Sequence, residues 1–132
     1  MREIEFRGKS VRHSTWVYGL IGYCNFNHGV EIDVQEKNEL GSILHHRINQ
    51  NTICQFTGLY DKNGIKIYEG DIVKGYLTYT DTDMAYIEYD TFAGFTCIPI
   101  FEKDDGKIFE IEEGKDVEVI GNIYDNQELL EE

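Results

Sequence analysis

QFTGLYDKNGIKIYEGDIV, residues Gln55 to Val73, carries the densest local instruction in the chain. Leu59-Tyr60 and Ile65-Lys66-Ile67-Tyr68 flank Asp61-Lys62-Asn63-Gly64. Strand-forming residues on both sides of a D-x-N-G cluster read as a β-hairpin. The hairpin can close in two registers. A two-residue Asn63-Gly64 loop puts both residues at positive φ and faces Tyr60 with Ile67. A three-residue Lys62-Asn63-Gly64 loop is a type I turn followed by Gly64 in the left-handed region, so that Asp61 faces Ile65 and Leu59 faces Ile67. The second register gathers Leu59, Ile65 and Ile67 on one side, and it is favoured because burial of one face fixes register. In both registers Gly64 carries a positive φ, where a Cβ costs about 1 kcal/mol or more. Glu69-Gly70-Asp71 then breaks the strand, and Ile72-Val73 starts the next. Gly58, Asp61, Asn63, Gly64, Glu69, Gly70 and Asp71 are thus read as residues that shape the backbone.

Outward from this stretch, the alternation of apolar and polar residues continues to specify strands. Towards the N-terminus, Arg2–Arg7 alternates strictly and Gly8-Lys9-Ser10 reads as a turn. Thr15–Tyr23 reads as a second strand, with Gly19 and Gly22 marking a bulge or a close backbone approach. Val30–Val34 is a third strand, Gln35–Gly41 a short helix or long turn, and Ser42–Arg47 a fourth strand. Asn49-Gln50-Asn51-Thr52 has turn chemistry. Towards the C-terminus, Ile72–Thr80 and Met84–Thr91 form a second hairpin. Phe95–Phe101 follows, with Pro99 at an edge or strand end. Lys107–Ile111 is a short strand, and Val117–Tyr124 closes the sheet with a bulge at Gly121. Asp125 and Glu128 have capping-box spacing before a short helical turn.

The expected fold is therefore mainly β. A small antiparallel meander lobe, residues 1–54, packs on a barrel lobe, residues 55–132, that ends in the helical turn. Two sheets this small bury little alone, so a shared core and one cooperative unit are expected. The 132 residues suit this size, and 9 Tyr and 7 Phe against 2 Met favour sheet over helix bundle. The net charge of −13 is uneven: residues 1–50 are neutral, residues 51–100 carry −4 and residues 101–132 carry −9. An acidic C-terminal third opposes direct nucleic-acid binding. The three cysteines, Cys24, Cys54 and Cys97, are odd in number and widely spaced, which points to reduced thiols in a cytoplasm. No signal peptide and no membrane-spanning apolar run are visible.

TGLYDKNGIKIYEGDIV (57–73), IEFRGKSV with TWVYGLI (4–11 and 15–21) and VIGNIYDNQELL (119–130) occur in an order that resembles the YopX family. These are small proteins of phages and prophages of Gram-positive bacteria. The resemblance implies a β-rich fold whose barrel is similar to SH3 modules, in a protein of the bacterial host cytoplasm. It implies no activity and no catalytic residues. Asn51–Gln55 departs from the Pro and Gly that relatives often have there, and residues 25–48 match nothing in the family pattern.

Candidate chemistry is sparse. Asp61, Asn63, Glu69 and Asp71 invite a calcium reading, but Gly64 stands at position 4 of the loop where an EF-hand needs Gly at position 6. His45 and His46 are adjacent, so on a strand they face opposite ways and cannot share an ion. Zinc there would need a tertiary coincidence with a Cys or a carboxylate. Ser10, Ser14 and Ser42 lie in no nucleophile motif, and no glycine-rich phosphate loop is present. No cofactor, metal or catalytic residue is expected. Two groups are weak binding candidates: an aromatic surface of Tyr76, Tyr79, Tyr86 and Tyr89, and the carboxylates Glu110, Glu112 and Glu113.

Three functions are weighed. The leading one is a non-enzymatic accessory protein that binds another protein, whose identity the sequence does not give. The alternative is an acidic mimic of nucleic acid that occupies a basic groove of a host or phage enzyme. A carboxylate- or metal-dependent hydrolase comes third. Homo-oligomerisation is compatible with all three, because Pro99 protects at most one sheet edge.

Overall fold

The computed structural model describes residues 3–27, 29–75, 84–91, 94–100, 109–110 and 117–131. The chain is mainly β and divides into two compact units, Met1–Phe56 and Thr57–Glu132.

The first unit contains β1 (Phe6–Ser10), β2 (Trp16–Asn25), β3 (Val30–Lys37) and most of β4 (Ile43–Tyr60). Successive strands pair antiparallel, and β1 pairs with β4 as well, so these four strands close into a barrel, which thus lies in the first unit where an open meander was expected. Strand β1 begins later than alternation suggests, with Ile4 left exposed, and Gly8-Lys9-Ser10 lies in the strand rather than in a turn. The reason is packing. Gly8 faces Ile48 so closely that a Cβ would stand 3.0 Å from Ile48 Cδ1. On the other face, the Arg7 guanidinium lies 4.4 Å from the Trp16 ring centroid and Lys9 Nζ lies 5.4 Å from it, an arrangement that stacks cation on aromatic.

Closure depends on a bulge. Arg7 pairs with Cys54 and Lys9 with Asn49, so β1 advances two residues while β4 runs back five. The turn residues expected at Asn49–Thr52 build this bulge instead of reversing the chain. Thr52 Oγ1 donates to the Asn49 carbonyl at 2.6 Å and accepts from Lys9 N at 2.8 Å, and Asn49 Oδ1 accepts from Asn51 N at 3.1 Å. Side-chain bonds of this kind satisfy backbone groups that the ladder leaves unpaired. At Gln35–Gly41 the helix alternative gives way. β3 continues to Lys37, and Asn38 Oδ1 accepts from Leu40 N and Ser42 N around a turn with Gly41 at φ +84°.

The second unit holds the end of β4, β5 (Lys66–Tyr68), β6 (Asp71–Gly75), β7 (Met84–Asp90), β8 (Gly94–Pro99), β9 (Phe109–Glu110) and β10 (Val117–Asn122). The last five of these strands form one antiparallel sheet in the order β10-β6-β7-β8-β9. Its core gathers Ile67, Val73, Ala85, Ile87, Cys97 and Val117. Full burial of one such aliphatic side chain contributes about 1.5–3 kcal/mol. Pro99 ends β8 as expected, and β10 bulges between Val119 and Gly121.

The C-terminal turn is a 3-10 helix, Gln127–Leu130, and the expected capping box is absent. Asn126 occupies the cap position without a side-chain cap bond. Its Oδ1 reaches back to accept from Asn122 N at 3.1 Å, and Asp125 Oδ2 accepts from Asn122 Nδ2. These side chains tie the turn to β10, and Asn126 Nδ2 also donates to Glu128 Oε1 at 3.3 Å. Gly121 makes room, since a Cβ there would lie 2.5 Å from Asn126 Oδ1.

The central hairpin adopts the three-residue register. Asp61 N donates to the Ile65 carbonyl at 2.8 Å, Gly64 N donates to the Asp61 carbonyl at 3.0 Å, and Gly64 has φ +79°. One part of the reading needs correction. Ile67 is buried, but Ile65 is 54% exposed, because it lies beyond the strand β5 that begins at Lys66. The buried Asp61 carboxylate holds the turn together. Oδ1 accepts from Asn63 N at 2.8 Å and Ile65 N at 2.9 Å, and Oδ2 accepts from Val119 N at 3.0 Å. Burial alone raises this carboxyl's pKa. The N–H groups of Val119, Ile65 and Asn63, with the Lys62 charge, outweigh burial and hold the group below the usual carboxylate value.

Two predictions follow from these contacts. Gly19→Ala places a Cβ 2.1 Å from the Gln35 carbonyl oxygen, and should cost about 2–3 kcal/mol or more in urea denaturation. Gly64→Ala meets only the positive φ in open space, and should cost about 1 kcal/mol. Equal losses would contradict the close approach at Gly19. Asp61→Asn should cost about 1–3 kcal/mol at neutral pH, because an amide cannot accept all three N–H groups. The wild-type advantage should be complete above the unfolded carboxyl pKa near 3.8 and fall away as pH drops towards the lowered folded value. Urea midpoints of both proteins across that range test the sign.

Candidate binding groove and its histidines

The turn between β1 and β2 is built by Ser10, whose carbonyl accepts from Ser14 N at 2.8 Å and whose N donates to the Thr15 carbonyl at 2.8 Å. Ser14 takes φ +56° to complete it. Val11 N then donates to the Arg47 carbonyl at 2.9 Å and fixes the turn against β4. A groove of about 600 Å³ opens beside this junction. Its apolar lining comes from Val11, Phe26 and Leu44, and its cationic and titratable lining from Arg12, His13 and the run His45-His46-Arg47. Val11 and Leu44 remain 49% and 43% exposed, more than a packed apolar side chain would be.

Each member of the His45-His46-Arg47 run meets a carboxylate from β3. Arg47 grips Glu31 through Nε–Oε2 at 2.7 Å and Nη2–Oε1 at 3.3 Å. His46 Nε2 lies 3.5 Å from Glu36 Oε1, too long for a good hydrogen bond. His45 Nδ1 is 2.7 Å from Asp33 Oδ2, and Asp33 is wholly buried. Register explains the pattern. Asp33 pairs with Arg47, Gln35 with His45, and Gly22 with Asp33, so Cys24, Glu31, Asp33, Gln35, His45 and Arg47 project from one face of β2–β4. His46 points the other way, as its adjacency to His45 requires. Cys24 Sγ, a carboxylate oxygen of Asp33 and a ring nitrogen of His45 come within 4.8 Å of one another.

The residues singled out from sequence fall elsewhere. Tyr76, Tyr79, Glu112 and Glu113 lie outside the described residues. Tyr86 and Tyr89 sit in β7 on opposite faces. Tyr86 pairs with Ile72 and Ile98, and Tyr89 packs edge-on against Phe95 with centroids 5.2 Å apart. These two tyrosines therefore share no surface. Burial first, and then the Glu88 charge, push the Tyr86 phenol up. Glu110 lies in the short strand β9. In the central motif, Gly58, Gly64 and Gly70 all have positive φ, at +88°, +79° and +86°. Asp71 Oδ2 accepts from Tyr68 N at 2.8 Å across the Glu69-Gly70 turn. Asp61 is turned onto three backbone N–H groups, so its carboxylate shapes the backbone of this motif.

Cys24, Cys54 and Cys97 are free thiols. Cys54 and Cys97 are buried, and burial pushes the Cys97 thiol up to about 12. Among the described residues no helix is long and apolar enough to cross a membrane. Register is what sequence reasoning lacked. Once β2, β3 and β4 are aligned, Cys24, Asp33 and His45 fall on one diagonal, and nothing in their spacing along the chain announces it.

Comparison with known proteins agrees with the fold. The crystal structure of protein EF1440 from Enterococcus faecalis matches with a TM-score of 0.57 and 24% identity over 99% of this chain and 100% of that one. At that identity the likeness is one of fold. No curated protein matches the chain. A family model described as YopX protein matches residues 5–131. A match over that span, on top of the central turn motif, places the chain in the YopX family.

Proposed function

We propose that this YopX-family chain is a non-catalytic protein-binding module, an accessory protein that acts in a bacterial cytoplasm, and that the groove beside β4 receives a segment of its partner. The groove's mixed lining carries the reading. Val11, Phe26 and Leu44 offer an apolar seat, and Arg12 offers positive charge beside it. That combination suits an extended segment with one apolar anchor and a neighbouring carboxylate, since apolar burial supplies affinity and charge sets register and approach. The groove belongs to the half of the chain that is neutral overall, so an acidic segment meets no general repulsion there. The carboxylates that sequence made most prominent, Asp61 and Asp71, are engaged by main-chain N–H groups. That leaves them poorly suited to acid–base work.

The test is a photo-crosslinking residue at Leu44 in the otherwise native protein, exposed to extract of the bacterium that carries it. A single protein should crosslink reproducibly, through a peptide that contains an acidic residue. Arg12→Glu combined with Val11→Asp should reduce its recovery at least tenfold, while Glu110→Lys with Glu112→Lys and Glu113→Lys should leave it unchanged. The reverse result would overturn the groove reading and transfer binding to the acidic C-terminal third.

A further inference from the structure

We propose that Cys24, Asp33 and His45 form a binding site for a zinc-like divalent transition-metal ion. The three side chains come from three neighbouring strands of the first unit, and their donor atoms lie within 4.8 Å of one another. A tetrahedral zinc ion holds sulfur at about 2.3 Å and nitrogen or oxygen at about 2.0–2.2 Å. Small rotations of the half-buried Cys24 and the exposed His45 bring the donors onto such a sphere. The donor set selects the ion: thiolate and imidazole suit zinc and its first-row neighbours and disfavour calcium and magnesium, which take oxygen.

The surroundings are organised around Asp33. Its carboxylate is wholly buried, and its Oδ1 accepts from Gln35 Nε2 at 3.1 Å, which leaves Oδ2 turned to His45. Outer hydrogen bonds of this kind orient metal ligands. Gln35 in turn needs Gly22: a Cβ there would stand 1.9 Å from Gln35 Nε2 and 3.2 Å from Asp33 Oδ1. A buried carboxylate is costly unless its charge is balanced. A dication balances it together with the Cys24 thiolate. On binding, the thiol releases its proton to solvent and the imidazole ligates in its neutral form. Three protein donors leave a fourth position for water or for a donor group from another molecule. The site shares His45 with the groove, but its test stands apart from the groove proposal because the ion alone is the probe.

Full-length protein, purified free of metal, is titrated with Zn²⁺ and separately with Co²⁺. One ion should bind per chain. Co²⁺ should give a near-ultraviolet thiolate charge-transfer band with visible bands of tetrahedral type, and Zn²⁺ should raise the unfolding midpoint as its concentration rises. Cys24→Ser and His45→Gln, both at positions that are not fully buried, should abolish the band and the shift while circular dichroism stays unchanged. Gln35→Ala should weaken Zn²⁺ binding roughly 10–100-fold. X-ray absorption on the zinc-loaded wild-type chain requires no variant, and should show one sulfur at about 2.3 Å. Absence of binding, a shell of nitrogen and oxygen alone, or a charge-transfer band that survives Cys24→Ser overturns the site.

Discussion

The Asp61 carboxylate is the constraint on which the second unit depends. Two of its bonds, to Asn63 N and Ile65 N, are local and set the loop. The third, to Val119 N, reaches a strand 58 residues later. Lys62 N adds a bond to the Val117 carbonyl at 2.9 Å beside it. A hairpin loop is normally free at its tip. This one is fastened to β10, and β10 pairs with β6 through Val73 and Ile72. The local turn and the long-range sheet therefore share one side chain, and neither reaches its final geometry without the other. An ionised acceptor strengthens each of these bonds over a neutral one.

In the first unit, closure is a matter of bending. Four strands make a narrow ring, and a regular strand as long as β4 is too straight to complete it. The Asn49–Thr52 bulge supplies the bend, and Gly8, Gly19 and Gly22 allow close approach where the ring is tightest. The polar cluster on β2–β4 has a different origin. The register of β2, β3 and β4 puts one residue from each strand on a short diagonal, which is how Cys24, separated by 9 and 21 positions from Asp33 and His45 in sequence, comes to share space with them.

Much of the fold was legible because its instructions are local. The D-x-N-G turn and the alternation in β7 depend on residues near in sequence, and Gly19 and Gly22 mark their own close approach to β3 by lacking a side chain. The failures occurred where another group took the place of the expected partner. Asn49–Thr52 has the letters of a reversal, but Lys9 captures Thr52 and holds it in a strand. Asp125 and Glu128 have the spacing of a capping box, but Asn122 competes successfully for the nearby side chains. Ile65 alternates correctly but sits at the hairpin's loop end, where its side chain stays exposed. The candidate sites suffered most. Tyr86 and Tyr89 are three apart, and period two puts them on opposite faces. The Cys24–Asp33–His45 cluster required a three-strand register that no local pattern encodes.

The unequal burial of the thiols has a chemical consequence for how the protein meets oxidants. A thiol must become thiolate and be reachable before it reacts. Cys97 fails on both counts and Cys54 is closed to reagents. Thiol oxidation is thereby channelled to the one remaining thiol, Cys24. Sulfenic acid, a mixed disulfide or a crosslink to another chain would all begin there, in the barrel half of the molecule.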